Sequence, residues 1–83
     1  MPTFIDHHES FETSPEMEAA IAEQIRSGQP NEHGVRGINM FLTAEGGAYC
    51  LMEAPDAEAV VKAHEPGGQT IRREDVVEVR SLV

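Results

Sequence analysis

The 83-residue chain contains one cysteine, one tyrosine, three phenylalanines and no tryptophan. With Cys50 alone, an internal disulfide is excluded. Basic side chains are scarce too: six lysines and arginines stand against fifteen aspartates and glutamates, a formal net charge of −9. That sign excludes a binder of nucleic-acid backbones, which needs a basic face to displace counterions, and argues equally against docking on an anionic membrane. No apolar run approaches the roughly 18–20 residues that span a bilayer. The stretch from Met1 to Ser10 has neither the basic start nor the apolar core of a secretory signal. A cytoplasmic protein is the expectation. Gly46-Gly47 and Gly67-Gly68 lack the lysine or the third glycine of a phosphate-cradling loop, and neither Cys-x-x-Cys nor His-Glu-x-x-His occurs. Lys62, the only lysine, reads as a solvated side chain rather than an amine nucleophile. What remains is 40% hydrophobic and 25% charged, the composition of one small globular domain over residues 1–83. A chain this short buries only roughly 60–65% of its unfolded surface and gains from oligomerising.

The pattern of apolar residues and breakers predicts six elements. Thr3 to His8 is short and β-prone and reads as a first strand. Thr13-Ser14-Pro15-Glu16 offers a hydroxyl cap, a proline suited to a first helical turn, and a glutamate at capping-box distance from Thr13. Met17, Ala20, Ile21 and Ile25 then recur on one helical face, and Ser27-Gly28 with Pro30 ends that helix. Val35 to Thr43 reads as a second strand, Glu45-Gly46-Gly47 as a hairpin turn with positive-φ residues, and Tyr49 to Met52 as the returning third strand. Asp56 caps a second helix whose apolar face is Ala57, Val60, Val61 and His64, broken by Pro66-Gly67-Gly68. Val76 to Val79 is the fourth strand. The order β-α-β-β-α-β suits an α+β, ferredoxin-like sandwich: a four-stranded antiparallel sheet, strands one and three central, with both helices on one face. The other face would be bare and apolar, so two copies packed sheet to sheet, a homodimer of the dimeric α+β barrel type, are expected.

Four histidines, the cysteine and a few carboxylates hold all the chemistry worth arguing. Alternation along the first strand puts Asp6 and His8 on one face and His7 with Ile5 on the other. A carboxylate with an imidazole suits divalent nickel, zinc, copper or iron; the plainer alternative is a polar strand end in water. Cys50, mid-strand beside strand one, reads either as a small buried hydrophobe or as a thiolate held by a metal. His64, on the apolar stripe of the second helix, needs a partner, either a backbone carbonyl or the metal. If the first three share the helix-facing side, Asp6, His8, Cys50 and His64 converge on a mixed O, N and S site. His33 reads as an exposed loop residue, Glu53 as a cap, an ion-pair partner or a further ligand, and Tyr49 as a packed ring with a wet hydroxyl or a donor into a cavity.

Three segments carry a family likeness: Phe4-Ile5-Asp6-His7-His8, His33-Gly34-Val35-Arg36, and Tyr49 to Ala59 running on to His64-Glu65 and Val77-Glu78-Val79. The chain resembles a family of small bacterial proteins long classed as a domain of unknown function, whose best-understood members are nickel-binding, ferredoxin-like homodimers. The resemblance implies that the family's first-strand Phe-x-Asp-x-His falls on Phe4, Asp6 and His8, its cysteine on Cys50 and its second-helix histidine on His64. The loop position at His33 is often aromatic in such sequences, and the first helix here lacks a histidine that similar proteins often carry.

The leading expectation is therefore a homodimer that binds a divalent transition metal, nickel above all, through Asp6, His8, Cys50 and His64, for sequestration or sensing. A rival is a cavity-type enzyme of the dimeric α+β barrel class, a monooxygenase or isomerase acting on a small molecule, with His8 or His64 as general base and Tyr49 or Cys50 as donor or anchor. A third reading is a metal-free interaction or ligand-sensing module.

Overall fold

The computed structural model describes residues 1–64 and 71–82. Its elements are β1 (Thr3–His8), α1 (Pro15–Ser27), β2 (Arg36–Leu42), β3 (Ala48–Glu53), α2 (Ala57–His64) and β4 (Val76–Val79), with a 3₁₀ turn over Arg73–Asp75 leading into β4. The four strands form one antiparallel sheet in the order β2-β3-β1-β4, so β1 and β3 are central as the crossovers require. The α+β ferredoxin-like architecture expected from the order of elements is present. No helix among the described residues is long and apolar enough to cross a membrane. The Pro66-Gly67-Gly68 helix stop lies outside the described residues.

Register assigns the two faces of the sheet. Phe4 stands opposite Met52, Asp6 opposite both Cys50 and Val76, and His8 opposite Ala48. This face carries the core, in which Phe4, Met52 and Val76 pack with Val35, Ala54, Ala57, Val60 and Ile71 while Cys50, Val61 and Ala63 lie against it. Asp6, His8 and Cys50 therefore share the helix-covered side. On the opposite side Ile5, Leu51, Phe41, Tyr49 and Val77 alternate with the core residues, and Phe41, Tyr49 and Val77 are about half exposed (51%, 41% and 53%). His7 stacks on Tyr49 there, ring centroids 4.6 Å apart.

The helix ends differ in detail from the sequence reading. The N-cap of α1 is Ser14, whose hydroxyl accepts from the Met17 amide at 3.1 Å, while Thr13 instead donates its hydroxyl hydrogen to the Glu18 carboxylate. Thr13 does not form a capping box with Glu16, because the helix begins one residue later than that box needs. Gly28 closes α1 in the left-handed region at φ 69°, a conformation that favours glycine. Asp56 caps α2 as expected, accepting from the Ala59 amide at 2.8 Å. The apolar stripe of α1 is seated loosely: no residue of α1 is fully buried, Met17 is exposed, and a groove of about 260 Å³ remains between Ile21, Ala22 and Ile25 on the helix and Met40 and Leu42 on β2.

In the β2–β3 hairpin only Gly46 takes a positive φ, 88°. Gly47, expected to share that role, is there for space: a Cβ on it would sit 2.5 Å from the His8 carbonyl oxygen. The hairpin end thus lies directly against the end of β1, and Gly46 is tied to the chain beyond β1 by the Phe11 amide at 2.8 Å.

Candidate metal centre

Strand alternation brings Asp6 and His8 to the same face, two residues apart, and α2 lays His64 over them from one turn beyond the fully buried Val60. The Nε2 of His8 is 3.2 Å from Asp6 Oδ1, and the Nε2 of His64 is 3.2 Å from Asp6 Oδ2. Donor atoms of the three residues all lie within 4.8 Å of one another. Asp6 and His8 are buried, at 1% and 7% exposure.

These contacts are close but are not ordinary hydrogen bonds. Both carboxylate oxygens of Asp6 and the Nε2 of His8 are buried without a hydrogen-bond partner. The other ring nitrogen of His64, Nδ1, lies 2.7 Å from the Val60 carbonyl, to which it can only donate. A neutral His64 ring therefore turns the lone pair of Nε2 toward a carboxylate oxygen, acceptor against acceptor. Two species relieve that conflict: a proton, giving the imidazolium, or a cation shared by the lone pairs. Metal-bound histidines characteristically donate their second N–H to a carbonyl or carboxylate, which fixes the tautomer. Two ligands at about 2.0–2.1 Å from one metal, at tetrahedral or octahedral angles, are roughly 2.9–3.4 Å apart, which spans the 3.2 Å found for both pairs. The donor set of one carboxylate and two imidazoles, with further positions open, belongs to first-row transition metals rather than to calcium or magnesium.

Electrostatics follows from the same contacts. Burial pushes the Asp6 carboxyl up, but His64 and His8 beside it outweigh burial and hold it at about 2. For His64, burial favours the neutral ring, yet Asp6 and the Val60 carbonyl together raise its pKa above the usual imidazole value. Burial, reinforced by the Asp6 carboxylate, pushes the Cys50 thiol far up, so without a metal it stays protonated at neutral pH.

Of the four ligands expected, the fold gathers Asp6, His8 and His64 into one cluster. Cys50 stands beside Asp6 on the same face but is not among the donors within 4.8 Å of one another. Glu53 is no ligand in this arrangement: it ion-pairs with Arg36 across β2 and β3, on the opposite face from Asp6. Tyr49 is on that opposite face as well, so of the two donors the enzyme reading offered, Tyr49 and Cys50, only Cys50 shares a face with His8. His33 sits in the loop before β2, 3.6 Å from the exposed Glu32. Of the two partners expected for His64, the structure shows the backbone carbonyl, that of Val60 at Nδ1, while Nε2 faces the Asp6 carboxylate.

Among functionally curated proteins none matches the chain. Among solved structures, the crystal structure of SCO4226 from Streptomyces coelicolor A3(2) is similar at 27% identity and a TM-score of 0.70, with 98% of this chain and 99% of that one covered. The family model described as nickel responsive protein SCO4226-like matches residues 4–79, from Phe4 in β1 to Val79 at the end of β4. The chain belongs to the SCO4226-like family of nickel-responsive proteins.

Proposed function

We propose that the protein binds a divalent transition metal, nickel in the cell, at Asp6, His8 and His64, and that it serves in metal sequestration or sensing. The observation that carries this reading is the convergence of three unpartnered buried atoms, Asp6 Oδ1 and Oδ2 and His8 Nε2, with a His64 ring whose tautomer is fixed from behind. Unpaired buried polar groups cost roughly 1–3 kcal/mol each, so a native core keeps them where a ligand satisfies them. The choice of nickel rests on the family, whose printed description is nickel responsive; the donor set accepts zinc, copper or iron equally. Cys50 is the fourth donor in this reading. A neighbouring metal ion supplies the charge that removes its proton, and Cys50 stands opposite Asp6 on the same face of the sheet.

The test begins with elemental analysis of protein purified without a nickel column, then calorimetric titration of the chelator-treated protein with nickel(II). One high-affinity site per chain is expected, with proton release, and with affinity reduced at least about 10- to 100-fold in Asp6→Asn or His64→Ala. Undiminished binding in both variants removes these residues from the site. For Cys50 the readout is thiolate-to-nickel absorption in the near ultraviolet, present in the wild type and lost in Cys50→Ser. Its absence from the nickel-loaded wild type leaves a three-residue site.

A further inference from the structure

The buried cluster is not sealed on every side. His8 forms part of it and also lines a second, polar pocket of about 460 Å³, whose other walls are His7, Glu9, Ser10, Arg72 and Asp75. His8 is only 7% exposed and its Nε2, fully buried, faces Asp6, so the pocket ends against a residue of the proposed site. Glu9 and Ser10 continue the chain straight from His8 at the end of β1, and Arg72 and Asp75 arrive from the 3₁₀ turn that leads into β4. The formal charges around the pocket are two carboxylates and one guanidinium. That guanidinium is occupied: Arg72 lies 3.2 Å from Asp75 through Nε and 3.1 Å from Glu74 through Nη1. Glu9 is the acid here with no ion-pair partner among the described contacts, and the imidazole of His7 lines the same pocket.

We infer that this pocket is the port through which the metal ion reaches the cluster, with Glu9 and Asp75 as an outer, transient cation-binding site and Arg72 as its built-in competitor. This rests on the metal-binding reading above. A hydrated dication enters the pocket as an outer-sphere complex with the two carboxylates. It then exchanges water for His8 at the inner wall, and for Asp6 and His64 behind it. Arg72 holds Asp75 while the port is empty, so cation entry means displacing one exposed ion pair, an inexpensive exchange. The net acidity of the whole chain attracts cations generally, but a cleft with low-dielectric walls concentrates that field at one place.

The prediction is kinetic. Stopped-flow mixing of metal-free protein with nickel(II), read by proton release to an indicator dye, measures the association rate. Glu9→Gln and Asp75→Asn are each expected to slow it by about 2- to 5-fold and to flatten its dependence on ionic strength, while Arg72→Gln raises it by a similar factor. Glu32→Gln is the control: it removes the same charge at an exposed position of the loop before β2 that does not line the pocket, and should leave the rate unchanged. Equal rates in all four variants overturn the port. So does a Glu32→Gln effect as large as that of Glu9→Gln, which would mean that net charge alone matters. Loss of uptake in Asp6→Asn with unaltered rates in the port variants sinks this inference and leaves the metal-binding reading standing. No uptake by the wild type sinks both.

Discussion

At the level of single residues the metal-free site is a compromise, and its pH behaviour shows it. Asp6 has its carboxyl held at about 2, so its contribution to stability is present above the ordinary carboxylate range and is lost as pH falls toward 2. His64 has a raised pKa, so its contribution is complete below the unfolded imidazole value of about 6.5 and is lost as pH rises through the folded value. The metal-free protein is therefore expected to be most stable at roughly pH 4–6.5 and to lose stability above it. Metal binding has the opposite dependence, since the same imidazole must be neutral to coordinate. Thermal melts between pH 5.5 and 8, with and without nickel(II), should show two curves that diverge as pH rises, and Asp6→Asn should flatten the metal-free one. A metal-free melting temperature that stays level or climbs over that range contradicts the assignment. Much of this site was legible in the sequence: alternation alone put Asp6 with His8, and helical periodicity put His64 on the buried stripe. The covered side of the sheet was not legible, because β1 carries large apolar residues on both faces, Phe4 on one and Ile5 on the other, and alternation then has a period but no sign. The distance from Cys50 to the imidazoles was out of reach for a different reason. Residues opposite one another across strands are fixed by register, whereas the approach of a helix to a sheet is set by how side chains interlock.

The same distinction holds for whole elements. All six were readable from periodicity and breakers, with bounds that agree with the structure to about a residue. Where two neighbouring residues offer the same chemistry, sequence cannot choose, and so the helix cap fell on Ser14 rather than Thr13. Nor does an apolar stripe tell how tightly it seats: the periodicity of α1 is regular, yet the helix buries no residue completely and leaves a groove against β2. Two substitutions separate local from long-range contributions. Ser14→Ala removes one cap bond at an exposed helix start and should cost about 1 kcal/mol in urea unfolding with metal affinity unaltered. Gly47→Ala should cost about 1–3 kcal/mol or more, because the added Cβ meets the backbone at His8 O and Glu9 O, at 2.5 and 2.9 Å, and neither can swing aside. Since the displaced strand end carries His8, metal affinity should fall along with stability. A Gly47→Ala protein as stable as the wild type would mean that the hairpin does not bear on β1 as closely as the structure has it.

For the whole molecule the open problem is the sheet face left without helices. Ile5, Leu51, Phe41, Tyr49 and Val77 lie on it, edged by the Arg36–Glu53 ion pair at one end and the His7–Tyr49 stack at the other. Antiparallel sheets that face water usually alternate apolar with polar residues, so an apolar row on the outer face calls for a cover. A second copy is the simplest one. A two-fold pairing of identical faces is self-complementary, and the site residues, all on the helix side, would stay outside the interface. The high negative charge opposes association at low salt, so the expected homodimer should tighten as ionic strength rises, contrary to an interface built on ion pairs. Sedimentation across a range of salt concentrations checks this. Phe41→Glu, which puts a like charge on the apolar outer face of both sheets, on edge strand β2 beside Tyr49, should give monomers that still take up nickel. Monomeric wild-type protein at every salt concentration would leave the apolar face uncovered and rule out this packing, without touching the chemistry on the other side of the sheet.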